Sequence, residues 1–579
     1  MPTLLYLPNE IIYKIADQLP SRDVNSLCQT TRPLYQYLIR HLYRRNIVES
    51  HSTALFWAAT HGYTSLAQAL LEENADIHTT GGSLTESESD FQARYARLSA
   101  HVQSLVGRGD DDLDKLSTPL IIASAVGHVE IVDLFLHHGA DPNTVNGAGR
   151  SAMDIAARNG HMETMRVLLR YGARGCHNSS SSASTSYDTI HVAAGGGHPG
   201  ALRILIENGV DPNRRTYWGD TALKVATRSG HIDAVKTLLD LGVEFMNRDR
   251  DMHTALYEAV KRDNVQIASL LLDAGDEIEG KDRWGRTTLT CAVWFGSMDS
   301  ATMLLDRGAQ IETRDENNCT PLWWACRRGK TAMVKMLLTR GANVELDDPR
   351  DANRTTPLGI ATRQRHDEIV NLLLDYGADV NRCDREGKSP LWHVVEQGNE
   401  TMARKLLARG ADPHLKTQHS PLVYRAVQKN ETAMVRLLLE NGADANAVGR
   451  LRKFKLVPVL AWALNMGYEE IVHALLDAGA DPNTRAYRRA MPVLTGAIIK
   501  SPRVYTRLLL EKGADPNLAD RYGNTPLFIA MAKGSPEEMR QLLEYGANPH
   551  EKRNGRTLRR WAVDRADEAV ESVLVEYGA

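Results

Sequence analysis

Several residues in this 579-residue chain recur at spacings that invite a chemical reading. His128, His161, His198 and His231 each follow a glycine and occupy one repeated position. A metal centre needs three or four such ligands converging on one ion, whereas these fall in separate units of sequence. We read them as structural hydrogen-bonding groups. The cysteines are Cys28, Cys176, Cys291, Cys319, Cys326 and Cys383, and no pair shows C-x-x-C or zinc-finger spacing. They read as reduced packing residues. Gly195-Gly196-Gly197 is followed by neither a phosphate-binding lysine nor a dinucleotide-type βαβ pattern. Carboxylates and histidines are scattered by repeat position, with no nucleophile–base pair among them. The expectation is a chain that is not an enzyme and that holds no cofactor or metal.

Another constellation carries the chemistry of recognition. The last two residues of successive short helices line up as Arg228-Ser229, Lys261-Arg262, Trp294-Phe295, Arg327-Arg328 and Arg363-Gln364. Alongside them run Arg214, Arg215, Tyr217, Trp218, Arg248, Arg250, Arg283 and Trp284. Arginine and tryptophan are enriched at the energetic centres of protein interfaces, which makes this ladder the candidate target site. Its basic side chains call for a protein target with an acidic or phosphorylated, partly apolar segment. Trp57, Trp324, Trp462 and Trp561 share a helix position that reads as core.

The elements that position these residues come from one phrase, repeated fifteen times. It opens at Thr53, Thr118, Ser151, Asp188, Thr221, Thr254, Thr287, Thr320, Thr356, Ser389, Pro421, Pro458, Pro492, Thr525 and Thr557. From Asp188 to Thr320 the offset is constant at 33 residues. A fixed period of that size means a stack of like units, each covering its neighbour's apolar face. In one unit, Thr320 caps a first helix and Pro321 suits its opening turn. Leu322 and Ala325 face inward, and Gly329 ends the helix. Ala332, Val334, Met336, Leu337 and Leu338 give the second helix its apolar face, and Gly341 ends it. The phrase T-P-L-x-x-A, G-H, L-L-L-x-x-G-A-D-x-N resembles the ankyrin repeat over about residues 53 to 579. The resemblance implies an all-α solenoid of about 15 helix pairs with hairpin fingers, whose ladder and finger positions face one concave, protein-binding surface.

Two segments interrupt the pattern. Residues 79–117 form an insertion, partly flexible, between a first repeat at 51–78 and the repeats of 118–174; Ser87 and Ser89 lie in it among acidic residues. A Ser-rich loop covers 175–187, and repeats then continue over 188–579. The last repeat, with Arg559, Arg560, Asp564, Arg565, Asp567 and Glu568, reads as a cap whose outer face meets water.

Residues 1–50 stand apart. Ile11, Ile15 and Leu19 recur at helical spacing after Pro8, and Pro33 opens another short helix. Three such helices hold more apolar positions than fifty residues can bury, so a partner is expected to cover some of them. The run L-P-x-E-I-x-x-x-I-x-x-x-L, followed by D-V-x-x-L, resembles an F-box, here as a small three-helix bundle. An F-box ahead of many such repeats resembles fungal F-box–ankyrin proteins. The resemblance implies docking to a Skp-type adaptor and a cullin ligase through Leu7, Pro8, Ile11, Ile15, Leu19, Val24 and Leu27, with Glu10 supporting the first helix. A tyrosine, Tyr35, stands where many F-boxes carry tryptophan. The whole chain then reads as the substrate-recognition subunit of a Skp–cullin–F-box ubiquitin ligase. The alternative is a scaffold or anchoring adaptor whose N-terminal helices only cap the stack.

Composition bounds the partners further. With 42% hydrophobic residues, 24% charged residues and a net charge of −3, the chain has no bulk attraction for nucleic acid or anionic membrane. No stretch of 18 apolar residues occurs, and Pro8, Asn9 and Glu10 break the N-terminal apolar run. A monomer in the cytoplasm or nucleus is expected.

Overall fold

The computed structural model describes residues 53–80, 117–175, 187–345, 355–415, 420–450, 456–486, 491–500, 504–553 and 555–578. Leu7, Pro8, Glu10, Ile11, Ile15, Leu19, Val24 and Leu27 lie outside these residues, as do Ser87 and Ser89. The chain divides into two compact units, Met1–Gln310 and Ile311–Ala579.

Each unit is a stack of antiparallel helix pairs. Among the described residues the first unit holds seven pairs, from Thr53–His61 with Thr64–Glu72 to Thr288–Phe295 with Met298–Asp306. The second holds eight, from Pro321–Arg327 with Thr331–Thr339 to Leu558–Asp564 with Glu568–Glu576. The helices are too short to stand alone, so their stability comes from packing against neighbours. Three two-stranded antiparallel hairpins, Val448–Arg450 with Leu456–Pro458, Arg485–Ala486 with Met491–Pro492, and Lys552–Arg553 with Arg556–Thr557, form fingers in the second unit.

The local chemistry follows the repeated phrase. Thr320 Oγ1 accepts the Trp323 N–H at 3.3 Å, and Pro321 occupies the opening turn. Ser151 and Asp154 form a reciprocal capping box. In the unit from Thr320, Leu322, Ala325, Val334, Leu337 and Leu338 are buried. Ala332 is exposed and Met336 half-buried, while Met333 is buried instead. The apolar stripe of that second helix keeps Val334, Leu337 and Leu338 as expected and differs only at its edge, where Met333 is buried in place of Ala332. The buried face is set by the adjoining repeat, and alanine is small enough to sit on either side.

The glycine-following histidines join one repeat to the next. Nε2 of His128, His161 and His231 lies 3.1, 3.0 and 2.9 Å from the carbonyl oxygens of Thr60, Ala125 and Gly195. Each acceptor stands two residues before a helix-ending glycine of the preceding repeat. The glycine triplet has a packing reason as well. A β-carbon on Gly196 would fall 2.2 Å from the Arg158 carbonyl oxygen, so only glycine admits that close approach.

Candidate functional site

The first unit presents a surface on its finger loops. In two neighbouring fingers an aspartate carboxylate closes the turn. Asp282 Oδ1 accepts the Trp284 and Arg286 N–H groups, both at 2.9 Å. Its Oδ2 binds Arg286 twice, with Nε at 2.8 Å and Nη2 at 2.7 Å. One carboxylate thereby fixes the loop and the guanidinium together. The Arg286 guanidinium then lies 4.5 Å from the Trp284 ring and 5.0 Å from the Trp294 ring. Asp249 does the same in the preceding finger, accepting N–H groups of Asp251 at 2.8 Å and His253 at 2.9 Å.

Beneath these fingers runs a buried ionic cluster. Lys224, 2% exposed, pairs with Asp249 and stands 3.3 Å from Asp220. Burial alone would raise the Asp249 carboxyl, but hydrogen bonds from His253 and Lys224 hold it well below the usual carboxylate range. Arg228 binds Asp220 at 2.5 Å and approaches Glu258 at 3.8 Å. Burial would lower its affinity for a proton, and the Asp220 partner reverses that, so Arg228 is firmly cationic.

The ladder residues therefore differ in what they have left to offer. Arg228 is engaged inside the unit, whereas Lys261 and Arg262 are exposed. Lys261 stands 5.7 Å from the Phe295 ring, and Arg262 forms no ion pair among the described residues. Trp294 and Phe295 are half-buried. Trp218 and Trp284 are exposed, and Trp218 makes an edge-on pair with Tyr217 at 5.3 Å. Arg286, Met246 and Met252 join the same fingers without having been singled out from sequence. For Arg286 a usable signal existed, since an aspartate four residues earlier predicts a turn that captures it.

In the second unit, Arg327, Arg328 and Arg363 are exposed. The Arg327 guanidinium lies 5.3 and 5.2 Å from the Trp323 and Trp324 rings. Both indoles are buried and satisfied, Trp323 Nε1 donating to the Thr355 carbonyl at 2.9 Å and Trp324 Nε1 to Asp315 at 2.8 Å. Trp324 is thus core, as expected, and Trp462 and Trp561 are half-buried. Trp57 departs from that reading. It is 46% exposed and packs at a tilt against the rings of His61 and Tyr63, with centroids 4.5 and 4.9 Å away.

Helix pairs, fingers and clamped repeat junctions define a repeat scaffold for binding other proteins. The chain belongs to the ankyrin-repeat family: the family model for ankyrin repeats matches residues 92–179, 241–315, 309–384, 391–486 and 497–579, with related repeat models at 190–239 and 50–81. It is an ankyrin-repeat protein-interaction module. Among similar proteins is the E3 ubiquitin-protein ligase XBAT33 of Arabidopsis thaliana, 36% identical over 91 residues, 16% of this chain and 17% of that one. The probable E3 ubiquitin-protein ligase XBOS33 of Oryza sativa is 31% identical over 127 residues, 22% of this chain and 24% of that one. The chain thus spans under a quarter of these relatives' lengths. Ankyrin repeat protein nuc-2 of Neurospora crassa is 30% identical over 119 residues, 19% of this chain and 11% of that one. The crystal structure of the human ASB11 ankyrin repeat domain is 29% identical, with a TM-score of 0.35, covering 39% of this chain and all of that one. Among the described residues, no helix is long and apolar enough to cross a membrane.

Proposed function

We propose that this chain is the substrate-recognition subunit of a Skp–cullin–F-box ubiquitin ligase and that it holds its target on the ankyrin stack. The observation that carries the reading is the run Leu7-Pro8-Asn9-Glu10-Ile11 with Ile15 and Leu19, set before the first repeat and outside its pattern. Two relatives carry the name of E3 ubiquitin-protein ligases, which supports the same pathway. The chain itself catalyses nothing in this reading. It raises the effective concentration of the target near the ubiquitin-charged enzyme by tethering recognition end to adaptor end.

Co-purification with a Skp-type adaptor tests the proposal. Wild-type chain retains the adaptor, and the double variant Leu7→Ala/Ile11→Asp loses it, because a buried carboxylate opposes an apolar contact. Failure of the wild type to retain the adaptor would favour a scaffold without a ligase role.

A further inference from the structure

We propose that three finger loops of the first unit, with the helix end at Lys261-Arg262, dock an acidic segment of the target protein. The segment carries aspartates or glutamates, rather than phosphate, set between apolar side chains. This rests on reading the stack as the target-binding surface and does not depend on the adaptor.

Charge on these loops is lopsided. Residues 214–219, 246–252 and 280–286 hold seven arginines and lysines against three carboxylates. All three carboxylates are taken, Asp249 by Lys224, Asp251 by Arg283 at 2.6 Å and Asp282 by Arg286 at 2.7 Å. Arg214 pairs with Asp188 and Arg248 with Glu277, just outside the loops. Arg215, Arg250 and Lys281 are left, together with Lys261 and Arg262 at the helix end. All five are exposed, and among the described residues none has a carboxylate within ion-pair distance. Arg215 bonds only the Asn247 side-chain oxygen, Arg250 meets two rings and Lys261 one.

The carboxylates nearest in sequence do not make up the deficit. Asp211, Asp263 and Glu279 accept the backbone N–H groups of Asn213, Ser300 and Gln310 at 2.9, 2.7 and 2.7 Å. Glu244, at the root of the second loop, is exposed without a cation. A partner that brings several carboxylates therefore gains pairs that the chain does not make for itself.

Apolar surface lies on the same loops. Tyr217, Trp218, Met246, Met252 and Trp284 are each 40% to 59% exposed. Side chains of this size, half exposed, present on the order of 500 Å² together, at the upper end for a monomer without a partner. The Arg250 guanidinium lies 4.3 Å from the Tyr217 ring and 5.9 Å from the Trp218 ring, and Arg283 lies 5.0 Å from Trp284. A guanidinium held over a ring keeps its N–H edge for a carboxylate and is ordered before the partner arrives.

The placement of the unpaired cations favours carboxylates over phosphate. They fall one to a loop, Arg215 on the first, Arg250 on the second and Lys281 on the third. Phosphate recognition gathers arginines at one point, whereas carboxylates strung along a chain can meet single cations in turn. The arginines already paired on these loops also meet carboxylates one to one, Arg283 with Asp251 and Arg286 with Asp282.

The test pans a random-peptide display library on the full chain, then measures the selected peptides, labelled with fluorescein, by fluorescence anisotropy. Peptides rich in aspartate or glutamate with apolar residues between them are expected. Their affinity should fall about tenfold or more in Arg215→Glu/Arg250→Glu/Lys281→Glu and in Trp218→Ala/Trp284→Ala, with melting temperatures unchanged. Converting the peptide carboxylates to amides should weaken binding to the wild type, yet the amide forms should bind the triple variant at least as well as the acidic forms. Phosphoserine in place of one aspartate should bind within about tenfold of the parent peptide; a larger gain would assign the site to phosphate and overturn the proposal. Selected peptides without acidic residues, acidic peptides indifferent to both variants, or a panning that yields no ligand would each overturn it as well. None of these outcomes bears on the adaptor, whose co-purification decides the ligase reading by itself.

Discussion

His161 and Gly127 interlock across the junction of two repeats. His161 Nε2 stands 3.0 Å from the Ala125 carbonyl oxygen, so that nitrogen carries the proton. A β-carbon built on Gly127 would fall 2.5 Å from His161 Nδ1, and Gly127 itself has φ +84°. His198 and His231 crowd Gly160 and Gly197 in the same way. The position is glycine for two reasons, a left-handed backbone and a ring that fills the space of a side chain.

Gly139 separates the two reasons. It has φ +88° but nothing within 4 Å of a built β-carbon. Gly139→Ala should therefore cost only the left-handed strain, about 1 kcal/mol. Gly127→Ala should cost at least about 2 kcal/mol, because the ring must also move and its hydrogen bond is disturbed. Urea unfolding of both variants checks the difference; equal losses would mean that the histidine yields freely.

Asp276 fills a place that Ala140, Ala173 and Ala309 fill in other repeats. It is 7% exposed, and burial pushes its carboxyl up to about 6, against hydrogen bonds from the Glu277 and Leu256 backbone. A carboxyl raised in the folded state favours folding when protonated. That contribution is fully present below the unfolded value near 3.8 and is lost as pH rises through about 6. Asp276→Ala should thus stabilise the chain at pH 8 by roughly 1–2 kcal/mol and have little effect near pH 4. Thermal melts across this range measure it, and a pH-independent effect would contradict the account.

Arg228 and Arg262 sit at neighbouring places on the ladder with different expected behaviour. Arg228→Ala strips a partner from Asp220 and Glu258, whose side chains are each 8% exposed, and should cost roughly 2 kcal/mol of stability. Arg262→Ala touches only an exposed side chain and should stay within about 0.5 kcal/mol. Denaturant midpoints distinguish them. Comparable losses would show that the buried carboxylates do not depend on Arg228.

In the second unit, Arg327 and Arg328 are exposed at the end of the helix Pro321–Arg327. Changing both to glutamate should weaken capture of a target held on that face, with melting temperature preserved. Comparison of the proteins crosslinked to wild type and variant checks this; an unchanged set excludes these arginines from target binding.

The sequence by itself determined the helix pairs, their caps and their order, because each is local. Thr320 with Pro321 opens a helix, Gly329 ends it, and a repeat fixes its neighbour's place by repetition. The structural role of His128, His161 and His231 was legible for the same reason, since one period back always brings the same carbonyl. What tertiary structure decided was partnership between side chains of adjacent repeats. Arg228, Lys261 and Arg262 look alike in sequence, yet only Arg228 meets a pair of buried carboxylates. Trp57 and Trp324 share one repeat position, but Trp324 finds Asp315 while Trp57 stays exposed. Local pattern sets the backbone of a repeat. Whether a cation or a ring is satisfied depends on residues eight, nine or thirty positions away, at places where the repeated phrase is free to vary.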